Sequence, residues 1–250
     1  METFVLHTTR GIFNPKTLEE ARTLHNSFVT EGPQPGIEIA RSLGDISHNL
    51  YTPAEGLGSL SGTKPGELLF IDYWTDLGGM ETFFSNPFAQ EAGDRLFSSR
   101  EESEWMPARD AFTFHVPATA GTPARFVGML RAPVRSAEDA IAALGKLVST
   151  NLGTARRLGQ LSHSLFVRQA SVVAVRPASN ASRSGGERVA APTEPVEILA
   201  VDFWSTFEGL KEHYGNLTAG DATVMSGLDD ALAGPLAVLV WEPVSGFSEW

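Results

Sequence analysis

A chain of 250 residues, 42% hydrophobic and 20% charged, can bury the core of one large domain or of two units of roughly 100–125 residues each. Its formal net charge of −11, from 30 acidic and 19 basic side chains, repels phosphate backbones and anionic lipid, so neither nucleic acid nor membrane is an expected partner. With no cysteine, disulfides, thiolate metal sites and cysteine nucleophiles are excluded together.

The start of the chain, Met1-Glu2-Thr3-Phe4-Val5-Leu6, has neither the basic region nor the long apolar region of a signal peptide. No apolar run approaches the ~18 residues of a membrane-spanning helix, and the expected location is cytoplasmic. The first expected element is an apolar strand, Phe4–Thr9. An amphipathic helix over Thr17–Thr30 follows, with Leu18, Ala21, Leu24 and Phe28 at helical spacing. Next come an alternating strand around Ser47-His48 and a strongly apolar strand ending in Asp72-x-Trp74. A short helix and a closing strand at Ala111–Val116 complete the unit, and Gly/Pro/Ala/Thr-rich Ala118–Ala124 reads as a linker.

The same order then returns: a strand at Phe126–Leu130, and a helix at Ala137–Thr150 with Ser136 suited to its N-cap. A strand around Ser162-His163, a strand ending in Asp202-x-Trp204, a helix and a closing strand at Ala237–Trp241 follow. Between the two middle strands, Arg176–Glu187 is Ser/Gly/Pro-rich, and 175–195 is expected to be a flexible loop insertion.

This is an internal repeat. Gly44-Asp45-Ile46-Ser47-His48-Asn49-Leu50-Tyr51 recurs as Gly159-Gln160-Leu161-Ser162-His163-Ser164-Leu165-Phe166, and Glu67–Trp74 recurs as Glu197–Trp204. Gly79, Met80 and Asn86 match Gly209, Leu210 and Asn216, while Phe114-His115-Val116-Pro117 echoes Val240-Trp241-Glu242-Pro243. The reading is α+β: two tandem ferredoxin-like β-α-β-β-α-β units, 1–118 and 124–243. One face of each four-stranded sheet lacks helices, and packing the two faces together covers both. The expected product is a pseudo-dimeric α+β barrel whose interior holds a small hydrophobic or aromatic molecule, in a monomer or a homodimer.

Period-two alternation puts Asp72 with Trp74, and Asp202 with Trp204, on one sheet face. They are candidate substrate-binding residues, or else core aromatics with each Asp capping the next turn. His48 and His163 recur on apolar faces, as candidate bases or proton shuttles, as metal or haem ligands, or as structural hydrogen-bonders to backbone. Asn49 and Tyr51 offer hydrogen-bonding groups on the opposite face in the first unit alone. Glu101-Glu102-Ser103-Glu104 reads as a solvated face, and His7, His25 and His115 lack partners at ligand spacing. No metal motif, phosphate loop, dinucleotide fingerprint or G-x-S-x-G elbow is present.

An acid-x-Trp strand end followed by a helix with a late histidine, Asp202-x-Trp204 and His213, resembles the antibiotic biosynthesis monooxygenase family and its dimeric α+β barrel relatives. That family's usual acid is Glu; here it is Asp in both units, and Phe83 stands where His213 would match. The resemblance implies cofactor-independent oxygenation of an aromatic or polyketide-like substrate, or isomerisation and cyclisation, with Trp walling the pocket and His213 orienting the substrate. Haem binding or breakdown, with one histidine as axial ligand, is an alternative, and a non-catalytic binder of a hydrophobic metabolite is another. With Phe83 in that position, one working pocket or two unequal ones are expected, the first unit being the poorer.

Overall fold

The computed structural model describes residues 4–31, 35–116, 125–168, 176–177, 196–219 and 222–250. Its first half runs β1 (Val5–Phe13), α1 (Leu18–Thr30), α2 (Gly36–Ser42), β2 (Asp45–Pro53), β3 (Glu67–Trp74), α3 (Leu77–Phe84), α4 (Pro87–Leu96) and β4 (Phe97–Pro107). A two-residue strand, β5 (Phe114–His115), leads on to β6 (Phe126–Val134), α5 (Ala137–Arg157), β7 (Gln160–Arg168) and the short β8 (Arg176–Pro177). The chain ends with β9 (Val196–Trp204), α6 (Phe207–Ala219), α7 (Ala222–Ala231) and β10 (Ala237–Pro243). Residue 175 and residues 178–195 of the expected insertion, and the expected linker over 118–124, lie outside the described residues.

Side chains fix the helix starts. Ser136 caps α5 as expected and Thr17 caps α1, each accepting a backbone N–H three residues on. Asp76 does the same for α3, and Asn86 caps α4, where Pro87 sets the first helical φ. Gly44 and Gly159 open the Ser-His blocks with φ of 98° and 99°, a left-handed turn that favours glycine.

All strand pairings are antiparallel, and each half has the order expected of a ferredoxin-like sheet: β2-β3-β1-β4 and β7-β9-β6-β10. The halves meet at two seams. Trp241–Pro243 of β10 runs beside Tyr51–Pro53 of β2, and Trp105–Pro107 of β4 runs beside Phe166–Arg168 of β7. Both edges of both sheets are thereby paired, and eight strands close into a barrel.

The barrel interior differs from expectation. Leu6, Ile71, Trp105, Val127, Val201 and Trp241, all buried, interdigitate there with Tyr51 and Phe166, leaving a gap of about 20 Å³. Two indoles and two further large rings fill the cross-section, so the lumen is a core and not a ligand chamber. Arg10 with Glu67, and Arg131 with Glu197, form matching ion pairs. The helices pack outside the barrel, α5 and the helices after β9 on the second sheet and α1 to α4 on the first.

The closing strand of the first half is β4 and not Ala111–Val116. Its sequence, Phe-Ser-Ser-Arg-Glu-Glu-Ser-Glu-Trp-Met-Pro, has the polarity of a loop, yet its carboxylates are neutralised in place. Glu101 pairs with Arg131 and Glu102 with Arg100, so the acidic run is half-buried and not a solvated face. The true repeat is Trp105-x-Pro107 with Trp241-x-Pro243: Trp105 stands opposite Leu6, and Trp241 opposite Val127.

Candidate functional site

His48, Asp72 and Trp74 face the helices, on the side of the sheet away from the lumen. His48 stands directly across the β2–β3 ladder from Asp72, and Asp45 across from Trp74. A β-bulge at Ile46 makes this possible, since one extra residue between Asp45 and Ser47 turns Ile46 outward. It thereby moves Asp45 onto the face of His48, which strict alternation would deny it.

These side chains form a buried cluster. His48 Nδ1 hydrogen-bonds Asp72 Oδ1, and His48 Nε2 lies 3.0 Å from His25 Nε2 of α1. His25 Nδ1 lies 3.1 Å from Asn26 Oδ1. His7 of β1 approaches the other Asp72 oxygen at 3.5 Å and stacks on Phe84 of α3 with ring centroids 3.8 Å apart. Asp45 Oδ2 accepts the indole N–H of Trp250 at 3.1 Å, and its Oδ1 has no partner.

The electrostatics assign proton states. Burial pulls His48 down, and Asp72, helped by Asp45 and Glu249, more than reverses this and leaves it above the ordinary histidine value. Burial pushes Asp72 up, and His48 and His7 bring it below the usual carboxylate range. Burial and the nearby His48 hold His25 down at about 3. Burial and the Asp72 charge raise Asp45 to about 7. A charged His48 therefore donates from both nitrogens, to Asp72 and to a neutral His25, beside a carboxyl that is part-ionised near neutrality.

Above this floor is a cavity of about 110 Å³, walled by Phe28, Phe70, Trp74, Phe83, Phe84 and Phe88 among others. Its volume approaches the ~150 Å³ of an apolar cavity that takes up benzene. Arg100 also lines it but is already held by Glu102 and Asp94. The cavity therefore offers no uncompensated positive group to an anion at that end.

The second half repeats the framework and closes the space. His163 Nδ1 lies 2.7 Å from Asp202 Oδ1, which also accepts from Gln160 at 2.8 Å. The residue matching Phe84 is Tyr214, whose hydroxyl donates to Asp202 Oδ2 at 2.7 Å. It fits because Gly128 stands where the first half has His7, and a Cβ there would lie 2.4 Å from the tyrosine ring. Leu144, matching His25, and His213 line the remaining gap of about 20 Å³. His213 packs on Trp204 at 5.0 Å, and burial lowers its pKa. His163 Nε2 has no partner.

Among the residues expected at a site, the structure thus gathers His48, Asp72 and Trp74 in one place, and His163, Asp202, Trp204 and His213 in another. Tyr51 and Asn49 belong to neither: they stand across from Leu69 and Ile71 and share the lumen face. Neither Asp72 nor Asp202 caps a turn. Sequence reasoning passed over Asp45, His7, His25 and Trp250. A matching signal existed only for Asp45, in the Asp45/Gln160 position of the repeat.

No group of three or more His, Cys, Asp or Glu side chains suited to a metal ion occurs among the described residues. A haem does not fit either half. Both nitrogens of each histidine lining the larger cavity are engaged, and the unpartnered nitrogen of His163 faces a space for one water. No helix among the described residues is long and apolar enough to cross a membrane.

No family model and no curated protein matches the chain. Solved structures share its fold. An anthrone oxidase-like protein is 12% identical with a TM-score of 0.60, covering 98% of this chain and 92% of the other. A candidate monooxygenase from Lactobacillus acidophilus NCFM is 9% identical with a TM-score of 0.54, covering 96% and 93%. A second, from Fusobacterium nucleatum, is 10% identical with a TM-score of 0.52, covering 99% and 97%. The chain thus shares the ferredoxin-like α+β barrel fold of these structures, the fold that the sequence resemblance implied.

Proposed function

We propose that the first half carries the working site, and that it takes a proton from a neutral aromatic ligand to start cofactor-independent oxygenation. Isomerisation or cyclisation of an aromatic or polyketide-like substrate would begin with the same step. The observation that carries this reading is an acid–base cluster on the floor of an otherwise aromatic cavity of about 110 Å³. The raised Asp45 is the base, since a group titrating near neutrality is part-ionised and still takes a proton readily. The substrate's O–H or acidic C–H bond breaks, its proton passes to the Asp45 carboxylate, and its electron pair stays on the substrate as an enolate. A charged His48, locked by Asp72, stabilises that developing anion in a site whose walls are largely aromatic. The electron-rich enolate is the form that reacts with O2 unaided. The descriptions of two fold neighbours, as anthrone oxidase-like and as a candidate monooxygenase, support an oxygenase reading.

The test is oxygen uptake with phenols, naphthols and anthrones, using the wild-type chain beside Asp45→Asn and His48→Gln. Uptake by the wild type that falls at least ~100-fold in both variants supports the proposal. Saturable ligand binding without uptake would leave a non-catalytic binder, and neither binding nor uptake rejects the site altogether.

A further inference from the structure

Beyond β10 the chain does not leave the barrel. Val244–Trp250 continues along the outer edge of β2, and the backbone N–H and C=O of Trp250 both pair with His48, at 3.2 and 2.9 Å. Side chains fasten this tail along its length. Asn26 of α1 donates to the Gly246 carbonyl and accepts the Ser248 N–H, both at 2.8 Å. Glu249 accepts the Leu50 N–H at 2.7 Å, and Phe247 packs against His25.

Trp250 itself touches both of the groups given a chemical role above. Its ring stacks on His48, with centroids 4.6 Å apart, and its N–H binds Asp45. Arg41 of α2 lies over the same indole. In the second half, the segment after β4 runs along β7 in the same way, placing Phe114 across from His163. That ring carries no donor, and Gln160 there turns to Asp202 instead. The polar contact from strap to carboxylate is therefore specific to the half with the cavity, which marks it as more than a seal on a sheet edge.

We infer that Trp250 is a positioning residue: its indole N–H fixes the Asp45 carboxylate and its ring fixes His48, so the trailing segment of the second half completes the site of the first. This rests on Asp45 being the proton acceptor proposed above. The groups facing Asp45 are Asp72 from β3, His48 from its own strand and Trp250 from the tail, with Glu249 acting on His48.

The measurement is the titration of the Asp45 carboxyl by carbon-13 NMR in the full chain, assigned with Asp45→Asn, in wild type, Trp250→Phe and Trp250→Ala. The wild-type midpoint is expected near 7. Trp250→Phe keeps the ring and loses the donor to the ionised form, so the midpoint rises by about one pH unit. Trp250→Ala also removes the cover, and regained solvation carries the midpoint back down towards ordinary carboxylates. These opposite movements support the inference, and a Trp250→Phe midpoint at or below the wild-type value overturns it. So does a Trp250→Ala midpoint that stays at the wild-type value, which keeps the question decidable should either variant fold poorly. The readout needs no turnover, so failure of the oxygenase proposal and failure of this inference are separate results. In an active chain, the pH–rate profile of Trp250→Phe moves with the same midpoint.

Discussion

The two halves of the barrel hold the same strand framework and the same His–Asp pair, yet one keeps a cavity of about 110 Å³ and the other about 20 Å³. Among the exchanges between them, two act directly on the buried carboxylate and its surroundings. His7 with Phe84 in the first half becomes Gly128 with Tyr214 in the second, and the tyrosine hydroxyl then takes an oxygen of Asp202 that its counterpart keeps for a histidine. Asp45 becomes Gln160, so a titratable group gives way to a fixed amide donor. A buried carboxylate can thus be satisfied wholly by structure, or left beside a hole with its partners in a movable proton state. The second half does the former and the first the latter, the reverse of what Phe83 in place of His213 suggests.

The sharpest way to break this comparison is to make matching changes in both halves. His48→Gln is expected to lower oxygenase turnover by ~10²–10⁴-fold, whereas His163→Gln leaves it within about twofold; equal losses would return the working site to both halves. Tyr214→Ala should cost about 3–5 kcal/mol in urea unfolding while opening the second half. A naphthol titration of that variant should then give two bound molecules per chain in place of one.

The pH dependence of stability separates the halves next. Burial and Asp72 raise Asp45 to about 7, so between about 4 and that value the folded chain holds a proton that the unfolded chain releases. Stability from this group is full below the unfolded value and is lost as pH rises through the folded one, by up to about 1.4 kcal/mol per pH unit. Asp45→Asn should therefore gain on the wild type between pH 5 and pH 8, while Gln160→Ala shows one constant offset. Least in size, Gly128→Ala should cost about 1–3 kcal/mol, read as a lowered Tm, because its methyl has no space beside Tyr214.

The sequence carried the framework well, because each strand ending in Asp-x-Trp is buried on both faces and its apolar run announces it. The repeat also placed His48 with Asp72 in order, though it did not say which face they served. Three things were hidden for physical reasons. β4 reads as a polar loop, since its carboxylates are paired with Arg131 of β6 and with Arg100 of β4 itself, and only Trp105-x-Pro107 marks it. Asp45 reaches the site through a bulge, which period-two counting cannot see. His7 and His25 sit on different elements from Asp72, so their convergence is a property of the sheet and helix packing and not of spacing.

The seams between the halves are short: Trp241–Pro243 beside Tyr51–Pro53, and Trp105–Pro107 beside Phe166–Arg168. Two separate subunits joined this way would come apart as they were diluted. Within one polypeptide the second half meets the first at an effective concentration on the order of millimolar, whatever the amount of protein in solution. The cover that Trp250 lays over His48 is therefore as complete in a dilute sample as in a concentrated one, and activity per chain should not change with dilution.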